Sequence, residues 1–129
     1  MGNDRRERGA EMMKKVYAGD VVVPAEGASP FANLMLEQVF AEVWTRPALS
    51  VRDRRLLIMG VIAGMGESMT WGIQARAALK NGELTPEQLR EALIQLAQYA
   101  GYPRAAAQIG GTEQTIAAVA KELKEKQGG

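Results

Sequence analysis

The feature that most constrains the fold of this chain is a repeated punctuation. Apolar residues recur at spacings of three and four, each run is opened by a capping residue or proline and closed by glycine or proline, and strand-like alternation is nearly absent. The pattern predicts an all-α protein. A first helix runs from Asp4 through Met12, Met13, Val16 and Tyr17 to Gly19; its many charges predict the most peripheral position. Asp20 to Ser29, with Val21 to Val23, Pro24 and Gly27, reads as a loop. Ser29 and Pro30 form an N-cap and first-turn proline for a helix to Trp44. Phe31, Leu34, Met35, Val39, Phe40 and Val43 supply its broad apolar face, and Thr45, Arg46 and Pro47 end it.

Ser50 and Asp53 open a helix from Val51 to about Gly64 that is apolar almost all round, which predicts a central position. Another helix starts near Glu67 or Ser68 and runs to Asn81, closed by Gly82. Thr85, Pro86, Glu87 and Gln88 make the strongest helix start in the chain, leading into the stripe Leu89, Leu93, Leu96 and Ala100 up to Gly101. After Pro103, a helix over Arg104 to Ile109 should be interrupted at Gly110 and Gly111. Thr112 should then cap a final helix through Leu123. These segments suit a single-domain antiparallel helical bundle of about six helices over residues 29–127, preceded by an N-terminal helix and loop over residues 1–28.

Composition narrows the function. The 129 residues contain no cysteine and no histidine, which removes disulfides, thiol redox chemistry, Cys- or His-based nucleophile systems and His-ligated metals. A net charge of +1 provides no field for nucleic acid or an anionic membrane. No stretch approaches a membrane span, and Met1 to Asp20 lacks an apolar signal region, so a cytoplasmic protein is expected. No motif demands a cofactor or metal; Gly110-Gly111 lacks the strand and Lys-Ser/Thr context of a phosphate loop.

Three segments in register, Glu42-Val43-Trp44-Thr45-Arg46-Pro47-Ala48-Leu49, Ala75-Arg76-Ala77-Ala78-Leu79-Lys80-Asn81-Gly82 and Tyr99-Ala100-Gly101-Tyr102-Pro103, resemble the carboxymuconolactone decarboxylase family over roughly residues 31–123. The resemblance implies an all-helical, alkylhydroperoxidase-like fold assembling as a homotrimer or homohexamer. The family's hydroperoxidase Cys, Cys and His would fall on Glu67, Thr70 and Gln74. Its decarboxylase His-Glu and second His would fall on Met69, Thr70 and Gln74, with an Asn-His pair near Ala106 and Ala107; the glutamate that often supports the cysteine branch would fall on Arg55. None is present. Peroxidase activity is disfavoured because it needs a thiolate or comparable redox centre.

The resemblance implies a lyase or isomerase acting on a small carboxylate- or lactone-bearing molecule. Glu42, if desolvated beside Phe40 and Trp44, would be the acid or base, and Arg46 the carboxylate anchor; the plain alternative is a Glu42–Arg46 surface pair. Glu67, Thr70, Trp71 and Gln74 share one helix face. Gln74, Thr70 and Tyr99 would orient substrate, with Trp71 as pocket wall or, more simply, packing. Met59, Met65 and Met69 make the region soft and apolar. Arg52, Arg54 and Arg55, at a helix start where cations oppose the dipole, should meet carboxylates across a subunit contact; an anion-binding cluster with Arg46 and a solvated charge run are the alternatives. A non-enzymatic ligand-binding or structural oligomer is the competing class.

Overall fold

A computed structural model describes residues 4–128; residues 1–3 of the expected N-terminal segment lie outside it. The chain is all-α, with no strand among the described residues. Its elements are α1 (Asp4–Val16), α2 (Pro30–Leu34), a π-wound continuation (Met35–Val43), α3 (Val51–Gly64), α4 (Ser68–Lys80), α5 (Pro86–Ala100), α6 (Tyr102–Ala106) and α7 (Ile109–Gly128). No helix among them is long and apolar enough to cross a membrane. They form two compact units that divide between Arg54 and Arg55.

In the first unit α1 packs along the π-wound segment. Its charges had suggested a peripheral helix, yet Gly9, Met13 and Val16 lie on one face and are buried. Opposite them sit Leu36, Phe40, Ala41 and Trp44, also buried. Tyr17 meets Phe40 edge-on at 5.7 Å, and Phe40 stacks on Trp44 at 6.2 Å. Gly9 is what lets the helices approach. A β-carbon there would stand 1.9 Å from the Leu36 carbonyl oxygen. α1 ends through Gly19 at φ +78°, whose N–H reaches the Lys14 carbonyl at 2.9 Å.

Ser29 caps α2, its Oγ accepting from the Ala32 N–H at 3.0 Å, as the Ser-Pro pair predicts. Beyond Leu34 the helix changes winding. Hydrogen bonds run five residues apart, ending with the Trp44 N–H on the Val39 carbonyl at 3.0 Å. The wider turn rotates side chains away from α-helical register. Of the expected apolar face only Phe40 is fully buried; Leu36 joins it, while Phe31, Leu34, Val39 and Val43 are exposed.

The second unit has a continuous core of Met59, Ala63, Trp71, Ala75, Ala78, Leu84, Leu89 and Leu93. α3 begins with the Asp53 N–H on Ser50 Oγ at 3.0 Å. It is one-sided rather than apolar-buried all round: Arg55, Met59 and Ala63 are inside, four residues apart, while Leu57 and Val61 are exposed. α5 starts with the predicted reciprocal capping box, Gln88 N–H to Thr85 Oγ1 at 3.1 Å and Thr85 N–H to Gln88 Oε1 at 3.0 Å. The diglycine does not interrupt the last helix. Gly110 and Gly111 lie in the first turn of α7, and Thr112 is inside the helix rather than its cap. The Thr112 hydroxyl donates to the Gln108 carbonyl at 2.7 Å and accepts from Trp71 Nε1 at 2.8 Å, a tie to α4 that offsets the weak helix propensity of two glycines.

Gly9→Ala should destabilise the first unit by about 1–3 kcal/mol, because the added methyl meets backbone rather than a movable side chain. Chemical denaturation of the variant checks this; Gly110→Ala, with open space around it, is the comparison expected to be neutral or mildly stabilising.

Candidate functional site

The site is built around an unexpected buried charge. Arg55 is wholly inaccessible, and its guanidinium is fully engaged within its own chain. Nε and Nη2 donate to the two carboxylate oxygens of Glu83 at 2.8 and 2.9 Å, and Nη1 donates to Gln74 Oε1 at 2.8 Å. The expectation of a carboxylate across a subunit contact is corrected for Arg55: its partner lies in the turn between α4 and α5. Asn81 Nδ2 donates to Glu83 as well, at 3.2 Å. A guanidinium has only donors, so it fixes the Gln74 amide with its oxygen inward. The residue expected to orient a substrate carbonyl is thus buried and committed to Arg55.

Trp71, one turn earlier on α4, is also buried, and its N–H is spent on Thr112. Its ring belongs to the core cluster, which is the packing reading. Thr70 lies at the partly exposed start of the same helix. Glu67 is the N-cap there, accepting from the N–H groups of Met69 at 3.2 Å and Thr70 at 2.9 Å, and from the Thr70 hydroxyl. The Thr70 hydroxyl, followed by its N–H, holds the Glu67 carboxyl below the ordinary carboxylate range. Tyr99 on α5 is largely exposed, whereas Tyr102 on α6 accepts a hydrogen bond from Gln98 Nε2 at 2.8 Å.

Glu42 and Arg46 belong to the first unit, and they do not pair there. Glu42 Oε1 instead meets Arg5 Nε at 3.1 Å and Arg8 Nη2 at 3.6 Å. Its side chain is 48% exposed, so the desolvation on which an acid–base role would rest is not met within this chain. The π-winding ends between the two residues, removing the four-residue register that would bring them together. Arg46 is exposed, and its carbonyl accepts from Arg54 Nη2 at 2.9 Å.

The second unit contains a pocket that the motif reading missed. It is a half-open hollow of about 270 Å³ between α5, α6 and α7. Leu93, Ile94 and Ala97 line it from α5, Tyr102, Ala105 and Ala106 from α6, and Ile109 from α7. Two charged side chains complete the lining, and they clasp each other: Arg90 Nε and Nη2 donate to Glu113 Oε2 and Oε1, both at 2.8 Å. Each is about half exposed. The hydrogen bond from Arg90 is the main reason the Glu113 carboxyl sits below its ordinary range, and the same bond raises Arg90. An apolar hollow with one two-pronged cation at its edge can seat a small organic anion, its carboxylate on the arginine and its carbon frame inside. The sequence signal was Ile94 and Ile109, large apolar residues outside the buried stripes; nothing local tied Arg90 to Glu113, 23 residues away.

Comparison with known proteins supplies a context. Residues 30–114 match the sequence model of the carboxymuconolactone decarboxylase family. The chain is 32% identical over 115 residues to nitrosuccinic acid decarboxylase npaB of Metarhizium robertsii, covering 85% of this chain and 80% of that protein. It is 32% identical over 73 residues to 4-carboxymuconolactone decarboxylase of Acinetobacter baylyi, covering 57% of this chain and 54% of that relative, about half its length.

The Arg55 cluster yields an asymmetric prediction. Glu83→Ala leaves a buried cation without its counter-charge and should cost about 3–5 kcal/mol, whereas Arg55→Met combined with Glu83→Gln removes both charges and should cost far less. Urea unfolding of the two variants checks the difference. A second expectation concerns pH. Because the Glu67 carboxyl is depressed in the folded state, its capping contribution is present above the unfolded carboxylate value and is lost as pH falls through the folded one. Amide exchange at Met69 and Thr70, normalised for intrinsic rates, should accelerate over that acid range, and in Glu67→Gln the acid-dependent step should disappear.

Proposed function

Because this chain belongs to the carboxymuconolactone decarboxylase family, we propose that it decarboxylates a small organic acid held in the pocket of α5, α6 and α7, with Arg90 as the carboxylate anchor. The observation that carries this reading is the Arg90–Glu113 fork at the edge of an otherwise apolar hollow. A carboxylate bound there keeps a charge-assisted two-bond contact while its carbon frame leaves water.

The electron pair must still go somewhere, and this chain contains no histidine or cysteine to assist. The reading therefore requires a substrate carrying its own sink. Nitrosuccinic acid, the acid named for the first relative, has one: a nitro group beside a carboxylate accepts the pair as a nitronate. The proposed class is a small di-acid with a nitro group or conjugated carbonyl next to the carboxylate that leaves. Ala106, near which the family's Asn-His pair would fall, is one wall of the pocket, so the hollow is apolar where those polar groups would stand. Trp71 acts from behind, holding the first turn of α7 through Thr112 and so fixing the backbone that carries Glu113. In this role assignment Gln74 is a partner of Arg55, and Glu42 and Arg46 are not used.

A second reading has its own support. Gln74 and Trp71, on the helix that bears the family's working residues, are packed and hydrogen-bonded to protein groups, which suits a ligand-binding protein without turnover. One experiment separates the two. Purified protein should accelerate CO2 release from nitrosuccinate or 4-carboxymuconolactone above the uncatalysed rate. Arg90→Lys should raise KM roughly tenfold, since a point ammonium cannot reproduce the planar fork. Saturable binding of these acids with CO2 release at the background rate would leave the non-enzymatic reading.

A further inference from the structure

The pair at the pocket edge supports a more specific assignment, which rests on the decarboxylase reading above. We propose that Glu113 is the resident occupant of the carboxylate seat on Arg90 and, once displaced by substrate, the proton donor of the reaction.

The geometry carries the first half. Both Glu113 oxygens lie 2.8 Å from Arg90 nitrogens, so the guanidinium edge that an incoming carboxylate would use is already taken by an intramolecular carboxylate. Both side chains are about half exposed, and an ion pair in that setting is weakly held, so exchange for a substrate carboxylate costs little. Only the side chain needs to move. Thr112, the preceding residue, is fixed by Trp71 at 2.8 Å and by the Gln108 carbonyl at 2.7 Å. A displaced Glu113 therefore stays beside the pocket.

The second half follows from charge. Arg90 is the group that depresses the Glu113 carboxyl, and the other charge acting on Arg90 is Glu87, on its own helix. The pocket's remaining lining adds no carboxylate and no further cation: it is Tyr102, alanines, leucine and isoleucines. Arg104 of α6 donates to the Gly64 carbonyl and does not line the pocket. A carboxylate that takes Arg90 from Glu113 removes the depressing contact and adds a like charge, so both changes push Glu113 toward its protonated form. Substrate binding thereby raises the fraction of Glu113 that carries a proton from solvent. The C–C bond to the departing carboxylate then breaks, its pair passes into the substrate's nitro or carbonyl system, and CO2 leaves. The Glu113 O–H bond breaks as its proton joins the carbanion carbon, and the regenerated carboxylate returns to Arg90. The sum is R–CO2⁻ + H⁺ → R–H + CO2.

Succinate, which has two carboxylates and no sink, isolates the binding half. Calorimetric titration at pH 5.5 in two buffers of different ionisation enthalpy should show more proton uptake by the native protein than by Glu113→Gln, the difference excluding succinate's own titration. Glu113→Gln should bind succinate several-fold more tightly, because the charged competitor is gone. With nitrosuccinate the same variant should lower kcat roughly 10²-fold, as loss of a positioned proton donor does, while KM falls rather than rises. Equal proton uptake by native protein and Glu113→Gln would overturn the proton loading and the donor role, and unchanged or weaker succinate binding by Glu113→Gln would overturn the seat. Native turnover with kcat unchanged in Glu113→Gln would overturn the proton-donor role and leave the decarboxylase reading standing. Proton-coupled succinate binding with CO2 release from nitrosuccinate at the background rate would overturn the decarboxylase reading, and the donor role with it, while leaving the seat intact.

Discussion

A guanidinium with no access to water governs the second unit. Burying Arg55 is tolerable only because Glu83 takes two of its N–H groups and Gln74 another, so the charge is neutralised and hydrogen-bonded at once. Meeting that condition aligns three segments: α3, which carries Arg55, α4, which carries Gln74, and the turn between α4 and α5, which carries Glu83. Leu84, next to Glu83, enters the core that Met59, Trp71 and Leu89 share, so the polar lock and the apolar packing specify the same register. The capping box at Thr85 begins immediately afterwards.

The lock also bears on the chemistry. An imidazolium at position 74 would place a second cation against Arg55, whereas a glutamine offers an acceptor oxygen and no charge. Arg55 and Gln74 are thus matched to each other as donor and acceptor. With that helix face consumed by structure, the strongest small-molecule feature of the unit lies between α5, α6 and α7, where Ala97, Ala105 and Ala106 leave space and Arg90 supplies the charge.

Local signals were legible wherever a backbone rule made them. Ser29-Pro30, Ser50-Asp53, Thr85-Pro86-Gln88, Gly19 and Gly82 each mark an end by a donor, an acceptor or a permitted positive φ, and all did so. The errors arose where a distant contact overrode a local preference. Gly110 and Gly111 are poor helix formers, yet Thr112 is tied to Trp71, 41 residues away, and α7 begins before them. α1 keeps most of its charges outward, and Gly9 serves a crossing that only the position of Leu36 reveals.

By itself the sequence determined that this chain is helical, where most helices begin and end, and that it supplies no thiol or imidazole; these follow from capping geometry, apolar spacing and composition, which act over a few residues or over none. Tertiary structure alone decided which charges meet. Arg55 finds Glu83 across 28 residues and Arg90 finds Glu113 across 23, while Glu42 turns to Arg5 and Arg8 instead of Arg46. Charged side chains are promiscuous in sequence, since any acid suits any base, and only the packing of helices sets the few ångströms over which one pairing prevails.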